Sequence, residues 1–339
     1  MKMKHLFLGL AALPMALVAF SAQAQEFTLR VADSFPTTHP YSINTKAWLD
    51  LVTKRTDGRV AFSYFPAEQL AKSADLLDAA ENRLADIVYA APLYLSDRLP
   101  LSTVIALPLI GNITDPQKLN DAFNELALNE LNEAELLPQN VRAIRTLATA
   151  PYQLMLRGDK IETLDGLKGK KIRSSGGVQE RSVAALGAVP VAIPAPDLYP
   201  ALQRGTIDGS LFNTPTAAGY KIQEQLKWST DNVNLGLFPV LYVINEDVWQ
   251  GLPEDIQTIM MDTAREVVPP VIQADNERHN EFGEALKQNG GGYYQISDAE
   301  LQKWQERLEP IWDNWVSDLD GRNQPGKKIF DRWTELATQ

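Results

Sequence analysis

Short runs of alternating apolar residues and longer runs of helical apolar spacing take turns along this chain, and that alternation limits its fold more than any other feature. Residues 26–36, EFTLRVADSFP, alternate and stop at a proline, as an opening strand and its following loop do. Residues 41–58 then place Ile43, Trp48, Leu49 and Val52 at helical spacing and stop at Gly58. A second strand (RVAFSYFP), a helix (SADLLDAAENRLA) and a third strand (DIVYAAP) follow, then helices over about 115–134 and a strand in NVRAIRTLAT. A second series begins near Pro151: YQLMLRG and KKIR as strands, a helix from Val178, PVAIP, a helix in PDLYPALQRG, and IDGSLFN. The run 235–245 is again apolar. From Pro253 one long helical pattern extends to the glycines at 290–292, and Pro269-Pro270 must kink or split it, because proline interrupts helical hydrogen bonding. Trp304, Trp312 and Trp315 punctuate a C-terminal helix and read as packing anchors. Strands alternating with helices predict an α/β fold with parallel pairing. At 339 residues and 45% hydrophobic, the chain exceeds the size of about 250 residues at which single cores stop growing, so two lobes are expected.

The first 24 residues read as an export signal. Lys2 and Lys4 form a basic start, LFLGLAALPMALVAF an apolar stretch, and Ala22-Gln23-Ala24 a small-residue cleavage site. The apolar stretch falls short of the about 20 residues that span a bilayer. Cleavage after Ala24 is expected, leaving an exported, soluble, periplasmic product. The chain has no cysteine, so disulfides and thiol catalysis are excluded. Net charge is −11, and −13 without Lys2 and Lys4, which disfavours nucleic acid and anionic membranes as partners. A single local positive site still outweighs that diffuse field for an anionic ligand at contact distance.

Catalytic motifs are missing. The sequence carries no HExxH, Walker loop, G-x-S-x-G or GxGxxG, and no metal or cofactor is implied. Of three histidines, His5 lies in the signal and His279, in ERHNE, suits a solvated helix face; His39, in TTHPYS, either lines a cleft or is an ordinary loop residue. Arg173 stands out. It ends a short strand and precedes Ser174-Ser175-Gly176-Gly177 and a helix, and a helix start of that kind can hold an anion with the backbone N–H groups of Gly176 and Gly177. An arginine there offers a planar fork that meets a carboxylate in two parallel hydrogen bonds. The same arginine also fits a solvated basic run, Lys168 to Arg173, and the residues alone leave both readings open.

The segment IETLDGLKGKKIRSSGG…ALGAVPVAIPAPDLYPALQRGTIDGSLFN resembles the core signature of the DctP-type solute-binding proteins of TRAP transporters. PAEQLAKSADLLDAAENRLADIVYA, LPLI and NLGLFPVLYVINEDVWQGLPEDIQ extend the likeness over nearly all of the chain after residue 24. The resemblance implies a two-lobed periplasmic binding protein (Venus-flytrap) fold, with lobe I at 25–150 plus 239–278, lobe II at 151–238 plus 279–339, and a bridging helix within 255–288. It also implies that Arg173 clamps a ligand carboxylate and that Asn213 assists it. Gln153 occupies the position where many members carry a second arginine, which favours a monocarboxylate. Tyr89, Tyr94, Tyr152, Phe212 and Phe238 fall near the implied cleft; any one of them suits a core as well, but together they favour a ring-bearing or apolar tail. The function so implied is capture of a small organic acid for membrane permease subunits by a monomeric receptor that does no chemistry. An exported enzyme acting on a carboxylate and a receptor feeding a sensor kinase are the competing readings.

Overall fold

The structure, a computed structural model, describes residues 25–111 and 115–338; the expected export signal lies outside the described residues. Within them the strands are β1 (Phe27–Ala32), β2 (Val60–Phe65), β3 (Ile87–Ala90), β4 (Val141–Ala148), β5 (Gln153–Leu156), β6 (Lys171–Ser174), β7 (Val189–Ala192), β8 (Gly209–Phe212), β9 (Trp228–Thr230), β10 (Pro239–Asn245) and β11 (Gly292–Tyr294). They form two sheets, one in the order β2-β1-β3-β10-β4 and one in the order β11-β9-β5-β8-β6-β7. The α/β architecture is therefore as the alternating pattern predicts, with one difference. β10 runs antiparallel to β3 and β4, and β5 antiparallel to β8 and β9. Both strands enter their sheet directly from the other one, so no crossover helix dictates their direction; the strands joined by local crossovers, β1 to β2 and β6 to β7, pair in parallel.

The long helical pattern divides where the proline pair demands. One helix ends at Glu266 and a second runs Val268–Gln288, with Pro269 and Pro270 in its first turn, where a missing N–H leaves no bond unmade. The 21 residues of the second helix span about 30 Å. Val268 and Val271 are buried at one end, Phe282, Gly283 and Leu286 at the other. At Gly283 a Cβ would stand 2.6 Å from the Tyr293 ring, so the helix approaches the second sheet as only glycine allows. This hinge helix touches Pro40–Arg55 beside the first sheet and Thr214–Gly219 beside the second.

The expected single C-terminal helix is three: Asp298–Leu308, Pro310–Asp320 and Gly326–Leu336, broken at Pro310 and after Gly321. Trp304 and Trp315 are buried, and the half-buried Trp312 donates its indole N–H to the Pro108 carbonyl at 2.8 Å. The last helix departs from the expected lobe II. It packs on Pro116–Leu126 and the turn Leu101–Ala106 beside the first sheet, where Arg332 pairs with Glu125 and Glu130. Trp304 is 1% exposed, so replacing it by alanine leaves a large hole. Trp304→Ala is expected to lower unfolding free energy by about 3–5 kcal/mol, read as a lower urea midpoint with an unchanged slope.

Candidate functional site

Arg173 lies inside the second sheet, its backbone opposite Val191 of β7 and Ser210 of β8, and its side chain has no solvent exposure. Nε donates to the Ile193 carbonyl at 2.7 Å and Nη1 to the Leu211 carbonyl at 3.2 Å. The guanidinium carbon stands 4.9 Å from the centre of the Phe212 ring. Among the described residues Nη2 has no hydrogen-bond partner, and no carboxylate pairs with the group. A buried guanidinium, aimed by two carbonyls and short of one acceptor and one negative charge, has the chemistry to accept a carboxylate. The solvated-run reading holds for Lys168, Lys170 and Lys171, which are exposed, and fails for Arg173.

Asn213 follows β8 and caps the helix Thr214–Gly219: its Oδ1 accepts the Thr216 N–H at 3.0 Å. That bond turns Nδ2 the other way, and Nδ2 is buried without a partner among the described residues. One side chain thus both caps the helix and keeps a free donor. Ser175 Oγ and Thr216 Oγ1 are likewise buried and unpartnered among the described residues, and neither was singled out in the sequence. Their only sequence signal is adjacency, Ser175 two residues after Arg173 and Thr216 one helix turn after Asn213.

Asn213 and Thr216 face a small cavity at the carboxyl ends of the strands, between the two sheets, where α/β folds place ligands. Tyr89, Tyr94, Tyr152, Phe212 and Phe238 all line it, and Phe35, Tyr41 and Tyr220 join them. Tyr152 stands 5.5 Å from Phe212 and 6.3 Å from Phe238, centre to centre, and Tyr94 stands 5.5 Å from Phe238. Phe35 packs on Tyr89 at 4.7 Å. Phe35, Tyr41 and Tyr220 sit in loops or at helix ends, where no periodic pattern marks them. Arg173 lies just behind this wall. Burial raises the phenols of Tyr94 and Tyr152 while the Arg173 charge beside them pulls both down. Tyr94 also accepts the Ala195 N–H at 2.9 Å, a bond between the two lobes. None of the lining side chains among the described residues is charged, and the Arg173 guanidinium packs on one of them, Phe212.

Two sequence-derived site residues and one backbone feature sit elsewhere. Gln153 is on β5 but does not line the cavity; Nε2 donates to the Val233 carbonyl at 2.7 Å and Oε1 accepts from Thr230 at 2.9 Å, so its amide is spent on the sheet's own loop. His39 is buried and does not line the cavity either. Its Nδ1 caps the helix Pro40–Arg55 by accepting the Tyr41 N–H at 3.1 Å, and its ring packs 5.1 Å from Tyr220 of the opposite lobe. Burial and, secondarily, Arg278 push its pKa down to about 3, so the ring is neutral. Gly176 and Gly177 serve close approach in place of anion binding: the Gly176 N–H is taken by Ser174 Oγ at 3.3 Å, and a Cβ at Gly176 would stand 2.8 Å from the Leu93 carbonyl oxygen.

The model of the bacterial extracellular solute-binding protein family 7, DctP, matches residues 31–318. The chain belongs to that family. It is a solute-binding protein of a transport family and not an enzyme. This family 7 protein is 26% identical, over 90% of its length and 91% of the relative's, to the C4-dicarboxylate-binding periplasmic protein DctP of Rhodobacter capsulatus. Two solved structures share its fold. A TRAP solute-binding protein from Rhodoferax ferrireducens, in complex with copurified benzoate, superposes with a TM-score of 0.80 at 24% identity, covering 92% of this chain and 97% of that one. A marine-metagenome TRAP solute-binding protein specific for aromatic acid ligands superposes with a TM-score of 0.82 at 20% identity, covering 92% and 98%.

In this family 7 protein the lobes meet at His39 and Gly219, where a Cβ would come within 2.2 Å of the imidazole Cδ2. Gly219→Ala therefore obstructs closure without altering a cavity residue. The expected outcome is a larger radius of gyration in X-ray scattering than the parent protein shows; an identical scattering profile would mean the ring yields.

Proposed function

We propose that this protein is an extracytoplasmic receptor that captures a small, ring-bearing monocarboxylate and hands it to the membrane permease subunits of a TRAP-type transporter. The observation that carries the reading is the free Nη2 of Arg173, buried behind an aromatic wall with no counter-charge among the described residues. A ligand carboxylate supplies the missing acceptor and the missing charge together. Asn213, which lines the cavity, keeps Nδ2 as a second free donor, and Tyr152 and Phe212 offer ring faces for the tail. The dominance of neutral walls supports one carboxylate over two: a second one would be buried with no cation lining the cavity among the described residues. The benzoate and aromatic-acid complexes of the fold relatives support a ring-bearing ligand. Gln153 contributes to that preference only as the absence of a second arginine, since it does not reach the cavity.

Closure follows from the same chemistry. With the lobes together and no anion inside, the guanidinium is desolvated and unpaired, which is costly. Bound carboxylate removes that cost, so ligand and closure favour each other as in hinge-bending receptors. Export with cleavage after Ala24, and action as a monomer, complete the proposal.

Benzoate, methyl benzoate and phthalate are suitable probes in calorimetric titrations. Benzoate is expected to bind, with methyl benzoate and phthalate at least about tenfold weaker, because the ester lacks the charge and the diacid buries a second one. Arg173→Lys should keep the fold, as judged by circular dichroism, and lose at least about tenfold in benzoate affinity. A charge-assisted hydrogen bond contributes about 1.5–3 kcal/mol, and lysine cannot reproduce the fork. Equal binding of acid and ester would remove the carboxylate clamp, and tighter binding of phthalate would overturn the monocarboxylate reading alone.

A further inference from the structure

We propose that the groove between the hinge helix Val268–Gln288 and β4 is a second ligand site, one that takes a small amphipathic amine: an apolar body against Leu119, Leu147, Val271 and Ile272, and an ammonium group on Asp275. The groove has a volume of about 520 Å³, well within the range of built ligand sites, and is separate from the Arg173 cavity. Tyr41 and Thr149 line both and form the partition between them.

Asp275 is the carboxylate on its wall. Oδ2 accepts one long hydrogen bond, 3.3 Å, from the Tyr41 hydroxyl. Oδ1 is buried and has no partner among the described residues. The χ2 torsion of an aspartate is broad, so a small rotation turns Oδ1 toward a donor in the groove. Burial holds this carboxyl up at about 7, while Tyr41 and Arg278 pull it down. Arg278 makes no ion pair with it among the described residues, and His279, one turn on, is fixed by Thr214 at 2.7 Å, with its pKa lowered by burial. Among the described residues no side chain on this wall supplies the cation that Asp275 lacks. A carboxylic acid entering here would meet like charge, and a neutral alcohol would offer a donor without charge. An ammonium group supplies both donor and charge, and charge-assisted bonds are the stronger. The rest of the lining is apolar enough to hold a ring or short alkyl body.

Calorimetric titration at about pH 8, above the value of about 7 to which burial raises Asp275, compares phenethylamine with phenethyl alcohol on the whole exported chain. Phenethylamine is expected to bind saturably, and the alcohol about tenfold more weakly. Asp275→Asn should lose about tenfold in amine affinity. Ala150→Phe, placed at the half-exposed rim, should block the groove while leaving Asp275 in place, and it keeps the test decisive if Asp275→Asn does not fold. Arg173→Lys should leave amine binding unchanged, which separates this site from the acid cavity. The proposal is overturned if the amine shows no saturable binding, if amine and alcohol bind alike, if neither Asp275→Asn nor Ala150→Phe weakens the amine, or if only Arg173→Lys does.

Discussion

One guanidinium sets the terms for this protein. Arg173 is fully enclosed by the second sheet, fixed by the carbonyls of Ile193 and Leu211, and lacks an acid to pair with among the described residues. Two carbonyl dipoles orient a guanidinium but do not neutralise it, and a low-dielectric surrounding magnifies what is missing. Nothing in the aromatic wall can make up the difference: phenols and phenyl rings offer ring faces and hydroxyls, not a full negative charge. In the proposed function an anion from outside completes this arrangement, and the lobes part when none is present.

The hinge makes that possible. The chain passes between the sheets from β4 to β5, from β9 to β10, and along the helix Val268–Gln288. Short connections of this kind hold two separately packed cores together while letting their angle change. The contacts between the lobes include Tyr94 with Ala195, His39 with Tyr220 and Gly219, and Gly176 with Leu93. Glycines stand where the two halves come nearest, since any side chain there would keep them apart.

The groove behind Tyr41 shows the opposite electrostatic sign. A cation without an anion lies on one side of the partition, and Asp275 with an unpartnered oxygen lies on the other. They do not neutralise each other, because Tyr41 and Thr149 stand between the two cavities. Each remains available to a ligand of opposite charge.

Local pattern carried much of this in the sequence. Period-two and period-3.6 runs determined where strands and helices lie, chain length implied two cores, and the proline pair required a break that the structure places between Glu266 and Val268. Resemblance singled out Arg173 and Asn213, because a short motif ties each to a strand end. What the sequence by itself could not determine was every matter of direction and distance. Gln153 and Phe212 are paired neighbours on β5 and β8, yet one spends its amide on Val233 and the other faces the cavity. His39 packs on Tyr220 and does not line the cavity, and the final helix leaves the second lobe to dock against Glu125 and Glu130. These outcomes depend on which long-range partner fills the last hydrogen bond or covers the last apolar face. Residues far apart in the chain decide that, and only once both sheets and the hinge helix have packed.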